Sequence, residues 1–74
     1  MKTGIVKIWQ KERGYGYITP DDGGEDVFVH FNGIDMVGFK SLIQGEKVNY
    51  VLVQGFKNYQ AAEVSPIMKQ AVDA

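Results

Sequence analysis

Apolar and polar residues alternate along most of the chain, and glycine, proline and acidic residues interrupt the alternation at regular intervals. Val6 and Ile8 alternate with Lys7 and Trp9, which predicts a first strand over Thr3 to Gln10, although Ile5 blurs its start. Lys11-Glu12-Arg13-Gly14 reads as a polar turn, and Tyr15 to Thr19 as a second strand. Gly14 permits an unusual backbone angle there, and Gly16 leaves room on the inner face. Pro20-Asp21-Asp22-Gly23-Gly24 is a strong turn signal. The third strand is expected over Asp26 to Phe31, with Val27 and Val29 facing in.

Asn32 to Gly45 has neither the strand nor the helix period. Its Ile34, Met36, Phe39, Leu42 and Ile43, broken by Gly33 and Gly38, predict a long loop that folds apolar residues under the sheet. A fourth strand follows over Glu46 to Gln54, with Val48, Tyr50 and Leu52 on one face and Asn49, Val51 and Val53 on the other. Gly55-Phe56-Lys57-Asn58 reads as a turn, and Tyr59 to Ser65 as a fifth strand ended by Pro66. Residues 1–67 are expected to form one domain and residues 68–74 a tail. Five short strands without a helix of useful length predict an all-β protein. Strands of this size avoid open edges by curling into a five-stranded antiparallel barrel.

Length sharpens this picture. A chain of 74 residues makes one domain. A domain of that size buries only roughly 60% of its unfolded surface, so its stability is marginal. It has little apolar surface to spare, yet the second and third strands turn Tyr15, Tyr17, Phe28 and His30 to one outer face. On a strand, side chains at i and i+2 share a face about 7 Å apart, so two rings can serve neighbouring bases. Stacking on a flat ring contributes about 1–3 kcal/mol per base and works for any base. Lone aromatic residues on strands are usually core or cross-strand packing. Here Ile18, Val27 and Val29 take the inner positions, which leaves the rings outside. The pattern therefore predicts a surface for single-stranded nucleic acid, with Lys7 and Arg13 at its border for phosphates or base edges.

Charge argues the other way. Eight Lys and Arg against nine Asp and Glu give a net charge of −1, where a strongly basic domain is the usual expectation for a nucleic-acid binder. Lys2, Lys7, Lys11 and Arg13 do gather around the first two strands, while Asp21, Asp22, Glu25 and Asp26 lie in or beside a turn. A local basic stripe on a near-neutral protein predicts binding carried more by stacking than by counter-ion release.

Catalysis finds little support. With one His and no Cys there is no triad, no thiolate metal site and no disulfide. The carboxylates of the turn do not match the spacing of a calcium loop. We expect no cofactor, no metal and no small-molecule substrate. No apolar run approaches the ~20 residues of a membrane span. Met1-Lys2-Thr3-Gly4 runs straight into a strand pattern without the features of a signal peptide, so the cytoplasm is the expected location.

Several segments together carry a family resemblance. They are Lys7, Arg13-Gly14-Tyr15-Gly16-Tyr17-Ile18, Asp26-Val27-Phe28-Val29-His30-Phe31 and Gly38-Phe39-Lys40-Ser41-Leu42. In this order and spacing the chain resembles the bacterial cold-shock proteins, single cold-shock domains with the oligonucleotide-binding barrel fold. The first long segment is similar to the family's first ribonucleoprotein motif with Tyr for the usual Phe, and the second is similar to the second motif throughout. The RNA-recognition motif has the two in the opposite order and backs its sheet with helices.

The resemblance implies that Tyr15, Tyr17, Phe28, His30 and Phe31 stack bases. It implies that Phe39 extends the platform and that Lys7, Arg13 and Lys57 are basic contacts. Strict alternation alone would turn Phe31 inward. The resemblance further implies an RNA chaperone that binds single-stranded RNA and DNA with little sequence preference. A barrel that uses the same rings to bind a protein partner is the alternative.

The chain departs from the family in three places. The family's Lys-Trp-Phe-Asn is Lys7-Ile8-Trp9-Gln10 here, so the first aromatic position is Ile8. Trp9 is counted among the expected contacts, either turned out to fill the missing role or kept in its own. The family's Gly-Pro before the fifth strand is Asn58-Tyr59, preceded by Phe56. Ile67 to Ala74 extends past the family's usual end. A long loop between the third and fourth strands also allows exchange of halves into a dimer, so monomer and exchanged dimer both stay open.

Overall fold

The computed structural model describes residues 1–35, 41–55 and 58–67. Five strands form: β1 (Lys2–Gln10), β2 (Tyr15–Pro20), β3 (Val27–His30), β4 (Lys47–Gln54) and β5 (Tyr59–Pro66). They close into a barrel in the order β1-β2-β3-β5-β4. Four of the ladders are antiparallel, as expected. The closing ladder between β3 and β5 is parallel, over Phe28↔Gln60 and Val29↔Ala61, which corrects the expectation of a wholly antiparallel barrel. Parallel neighbours need a long connection, and the loop together with β4 supplies it.

The core holds Val6, Ile18, Val27, Val29, Ile34, Leu42, Val48, Tyr50, Ala61 and Val64. Burying one large aliphatic side chain contributes about 1.5–3 kcal/mol. Ile34 and Leu42 come from the loop, which does fold apolar residues under the sheet, but Ile43 is 70% exposed and takes no part. Met36, Phe39 and the expected tail of residues 68–74 lie outside the described residues.

Two irregularities change which side chains face in. Val6 pairs with Ile18 and Ile8 with Tyr17, so Lys7 is an extra residue in β1. A bulge of this kind reverses the phase of the alternation after it. Val6 and Trp9 therefore share the inner side, and Ile8 is turned out, 39% exposed. The expectation that Ile8 continues the face of Val6 is corrected by this one inserted residue. In β5 the register slips between Asn49↔Ser65 and Val51↔Ala62. Glu63 adopts φ +52° at that slip, and Ala61 and Val64, three apart, both become buried.

The third strand is also shorter than expected. It ends at His30, and Phe31–Gly33 form a turn of 3-10 helix.

Candidate nucleic-acid interface

The outward rings lie on β2 and β3. Tyr15 faces His30 and Tyr17 faces Phe28 in the ladder between them. The ring centroids of Tyr17 and Phe28 are 5.8 Å apart at 67°, and those of Tyr15 and Phe28 are 5.7 Å apart at 38°. Phe28 thus stands between the two tyrosines. Such offset and edge-on pairs are favourable beyond their buried area and hold the rings in place. Tyr17 remains 38% exposed despite these contacts.

Two local devices extend this surface. The amide N–H of Asn32 donates to His30 Nδ1 at 3.3 Å, which caps the 3-10 turn and orients the imidazole. In the neutral ring the proton then resides on Nε2, leaving that nitrogen as a donor. The same turn carries Phe31 outward, 43% exposed, with its ring 4.5 Å from that of His30. Alternation would have buried Phe31; the 3-10 turn removes it from the strand period. Gly14, at φ +75°, lets the ring lie close, because a Cβ there would come within 2.7 Å of Phe31 Cδ2.

Trp9 takes a different side. It pairs with Gly16, the inward position between Tyr15 and Tyr17, and packs against the core. A Cβ on Gly16 would meet the carbonyl oxygen of Ile8 and lie 3.0 Å from the indole. The structure therefore does not bring Trp9 together with the outward rings. Ile8, opposite Tyr17, occupies the outward place on β1. Phe39 and Lys57, with their neighbours Lys40 and Phe56, lie outside the described residues.

The charged residues separate into two groups. In the turn after β2, Asp21, Asp22 and Asp26 accept from Lys47, Lys2 and Lys7 at 2.8, 3.0 and 2.9 Å. The hydroxyls of Thr3 and Thr19 donate to Asp21 and Asp26 at 2.7 and 3.1 Å. These bonds favour the ionised carboxylates. The Lys47 ammonium holds Asp21 below the ordinary value, Lys2 does so for Asp22, and Lys7 for Asp26. In return, the hydrogen bond to Asp22 raises Lys2. Arg13 and Lys11, in the turn between β1 and β2, are exposed, and Arg13 has no carboxylate partner among the described residues.

Sequence reasoning missed the bonds that Lys7 and Thr19 both donate to Asp26, because these partners lie 19 and 7 residues from it in the chain. It also missed Gln60, which the parallel ladder sets beside Phe28. A cavity of about 230 Å³ opens among Lys2, Asp22, Asp26, Tyr50 and Tyr59, and none of Tyr15, Tyr17, Phe28 or His30 lines it. The outward rings thus stand apart from this cavity.

The sequence model of the 'Cold-shock' DNA-binding domain matches residues 2–67. The chain belongs to the cold-shock domain family. The match runs from the first residue of β1 to just past β5, so it takes in the whole barrel. Curated cold-shock relatives agree. The chain is 53% identical over 62 residues to the cold shock-like protein CspG of Shewanella violacea, covering 84% of this chain and 89% of that one. It is 48% identical over 62 residues to the cold shock protein CspV of Vibrio cholerae, with the same coverage. It is 47% identical over 64 residues to the cold shock-like protein CspA of Bordetella pertussis, covering 86% of this chain and 96% of the relative. As a cold-shock domain the chain is a nucleic-acid-binding protein. Among the described residues no helix is long and apolar enough to cross a membrane.

Proposed function

We propose that this cold-shock domain binds single-stranded RNA and DNA by stacking bases on Tyr15, Tyr17, Phe28, His30 and Phe31, and that it acts in the cytoplasm as an RNA chaperone without catalysis. The contiguous outward set Tyr17–Phe28–Tyr15 carries this reading. Bases in a duplex keep their faces covered, so a stacking surface favours the unpaired strand. Stacking on rings reads no particular base, which fits a binder with broad sequence tolerance. Arg13 is the basic contact at one border, and Lys7 lies at the other. Trp9 supports the sheet from inside.

Titration of a labelled short oligothymidine, followed by anisotropy, tests the reading against a hairpin of the same length. Preferential binding of the single strand, together with lowered melting of the hairpin at high protein concentration, is the expected result. Equal affinity for duplex and single strand, or no binding at low salt, would overturn it.

A further inference from the structure

The cavity of about 230 Å³ lies away from the rings, at the end of the barrel where β1 begins, β2 ends and β3 begins. Tyr50 forms its floor. The phenol is fully buried, and its hydroxyl has no hydrogen-bond partner among the described residues. The register sets Lys2 directly across from Tyr50, so both side chains leave the sheet on the same side. The Lys2 stem thereby covers the phenol, and its Nζ reaches over to Asp22 Oδ2 at 3.0 Å. Loss of solvent raises the pKa of the phenol and the Asp22 carboxylate raises it further, so the hydroxyl end lies beside that pair and stays protonated. The pair is exposed on both sides, and such pairs are weak and open readily.

The lining has two chemical halves. Pro20, Val27 and Leu52 supply an apolar wall, and one ammonium, Lys2, faces three carboxylates, Asp22, Glu25 and Asp26. Two of these carboxylates are engaged at both oxygens: Asp22 by Lys2 and the Gly24 amide, Asp26 by Lys7 and Thr19. Glu25 has no cation partner among the described residues. An excess of negative charge with one free carboxylate selects a cation. Among the described residues, however, no three acidic or imidazole groups converge to hold a metal ion. The volume is below the roughly 300–1,000 Å³ of a drug-sized pocket, which suits a small ligand. We propose that this cavity binds a small alkylammonium ion, with its charged head at Glu25 and the Tyr50 hydroxyl and its hydrocarbon chain against Pro20, Val27 and Leu52. The ligand supplies the partner that the buried hydroxyl lacks, which an apolar molecule could not do.

Titration with n-butylammonium chloride at constant ionic strength tests this on the full chain. Amide shifts in ¹H–¹⁵N spectra are the readout, with n-butanol and ammonium chloride as controls. Saturable shifts confined to the amides around Lys2, Asp22, Glu25 and Tyr50 are expected, with several-fold tighter binding than either control. Tyr50→Phe keeps the ring and Glu25→Gln keeps the shape, so circular dichroism should show both folded. Each is expected to weaken n-butylammonium several-fold. Glu12→Gln, which removes a charge from the turn between β1 and β2, is expected to leave the affinity unchanged. Absence of saturable shifts at these amides overturns the inference. Binding no tighter than that of ammonium would reduce the site to general charge attraction, and binding no tighter than that of n-butanol to an apolar cleft. Either result overturns it, as does unchanged affinity in Tyr50→Phe or in Glu25→Gln.

Discussion

The indole of Trp9 lies over Gly16, on the opposite side of β2 from the rings of Tyr15 and Tyr17. Trp9 is the chain's single tryptophan, so this placement can be read by fluorescence. Its emission is expected to be blue-shifted and to change little when an oligonucleotide binds. The variant Ile8→Trp, Trp9→Phe moves the indole to the outward position opposite Tyr17, and there binding is expected to quench it strongly. Strong quenching in the unmodified protein would show that Trp9 turns outward.

Tyr17 and Phe28 touch edge-on, so their contributions to binding are coupled. Tyr17→Ala and Phe28→Ala are each expected to weaken oligonucleotide binding by about 1–3 kcal/mol. The double variant is expected to lose less than the sum, because removing either ring also frees the other to move. Isothermal titration of the four proteins checks this. Full additivity would mean that the two rings act on separate bases without supporting one another.

The turn after β2 is expected to make stability sensitive to acid. Asp21, Asp22 and Asp26 all titrate below their ordinary value of 3.8 in the folded protein, chiefly through hydrogen bonds from Lys47, Lys2 and Lys7. A group whose pKa is lowered by folding contributes stability above its unfolded pKa and loses it as the pH falls through the folded one. The contribution is therefore complete above the ordinary carboxylate range and declines below it. Thermal unfolding at successive acid pH values should show the fall. Replacing the three aspartates by asparagine should flatten the profile in that window.

Tyr50 is fully buried, and its hydroxyl has no partner among the described residues. Loss of solvent around the phenol raises its pKa. A buried polar group without a partner costs about 1–3 kcal/mol. Tyr50→Phe keeps the ring and removes that cost, so it is expected to raise stability by about 1 kcal/mol in urea unfolding with an unchanged m-value. A loss of stability would show that the hydroxyl is hydrogen-bonded in solution.

These placements show how far local pattern reaches. β2 and β3 keep strict alternation, so Tyr15, Tyr17, Phe28 and His30 could be assigned to one face from residue order alone. The face of Trp9 and Ile8 could not, because it depends on a bulge that forms only when β1 meets β2. Phe31 escapes alternation for a related reason: the His30 cap starts a 3-10 turn where a strand was expected. Glu63 likewise gives no local warning of its positive φ, which arises from the slip between β4 and β5. The ion pair of Lys7 with Asp26 and the parallel contact of β3 with β5 join distant segments, and only the closed barrel brings them into contact.

That parallel contact is also the narrowest join in the barrel, with two residue pairs, and Phe28 belongs to one of them. The central ring of the aromatic face is thus anchored on the seam where the sheet closes. Any opening of the seam would displace Phe28 from its tyrosine neighbours. A strand of bases stacked across the face would act as a clasp on the seam, so binding and closure of the barrel reinforce one another. The amide hydrogens of β3 and β5 should then exchange with solvent more slowly when the face is occupied.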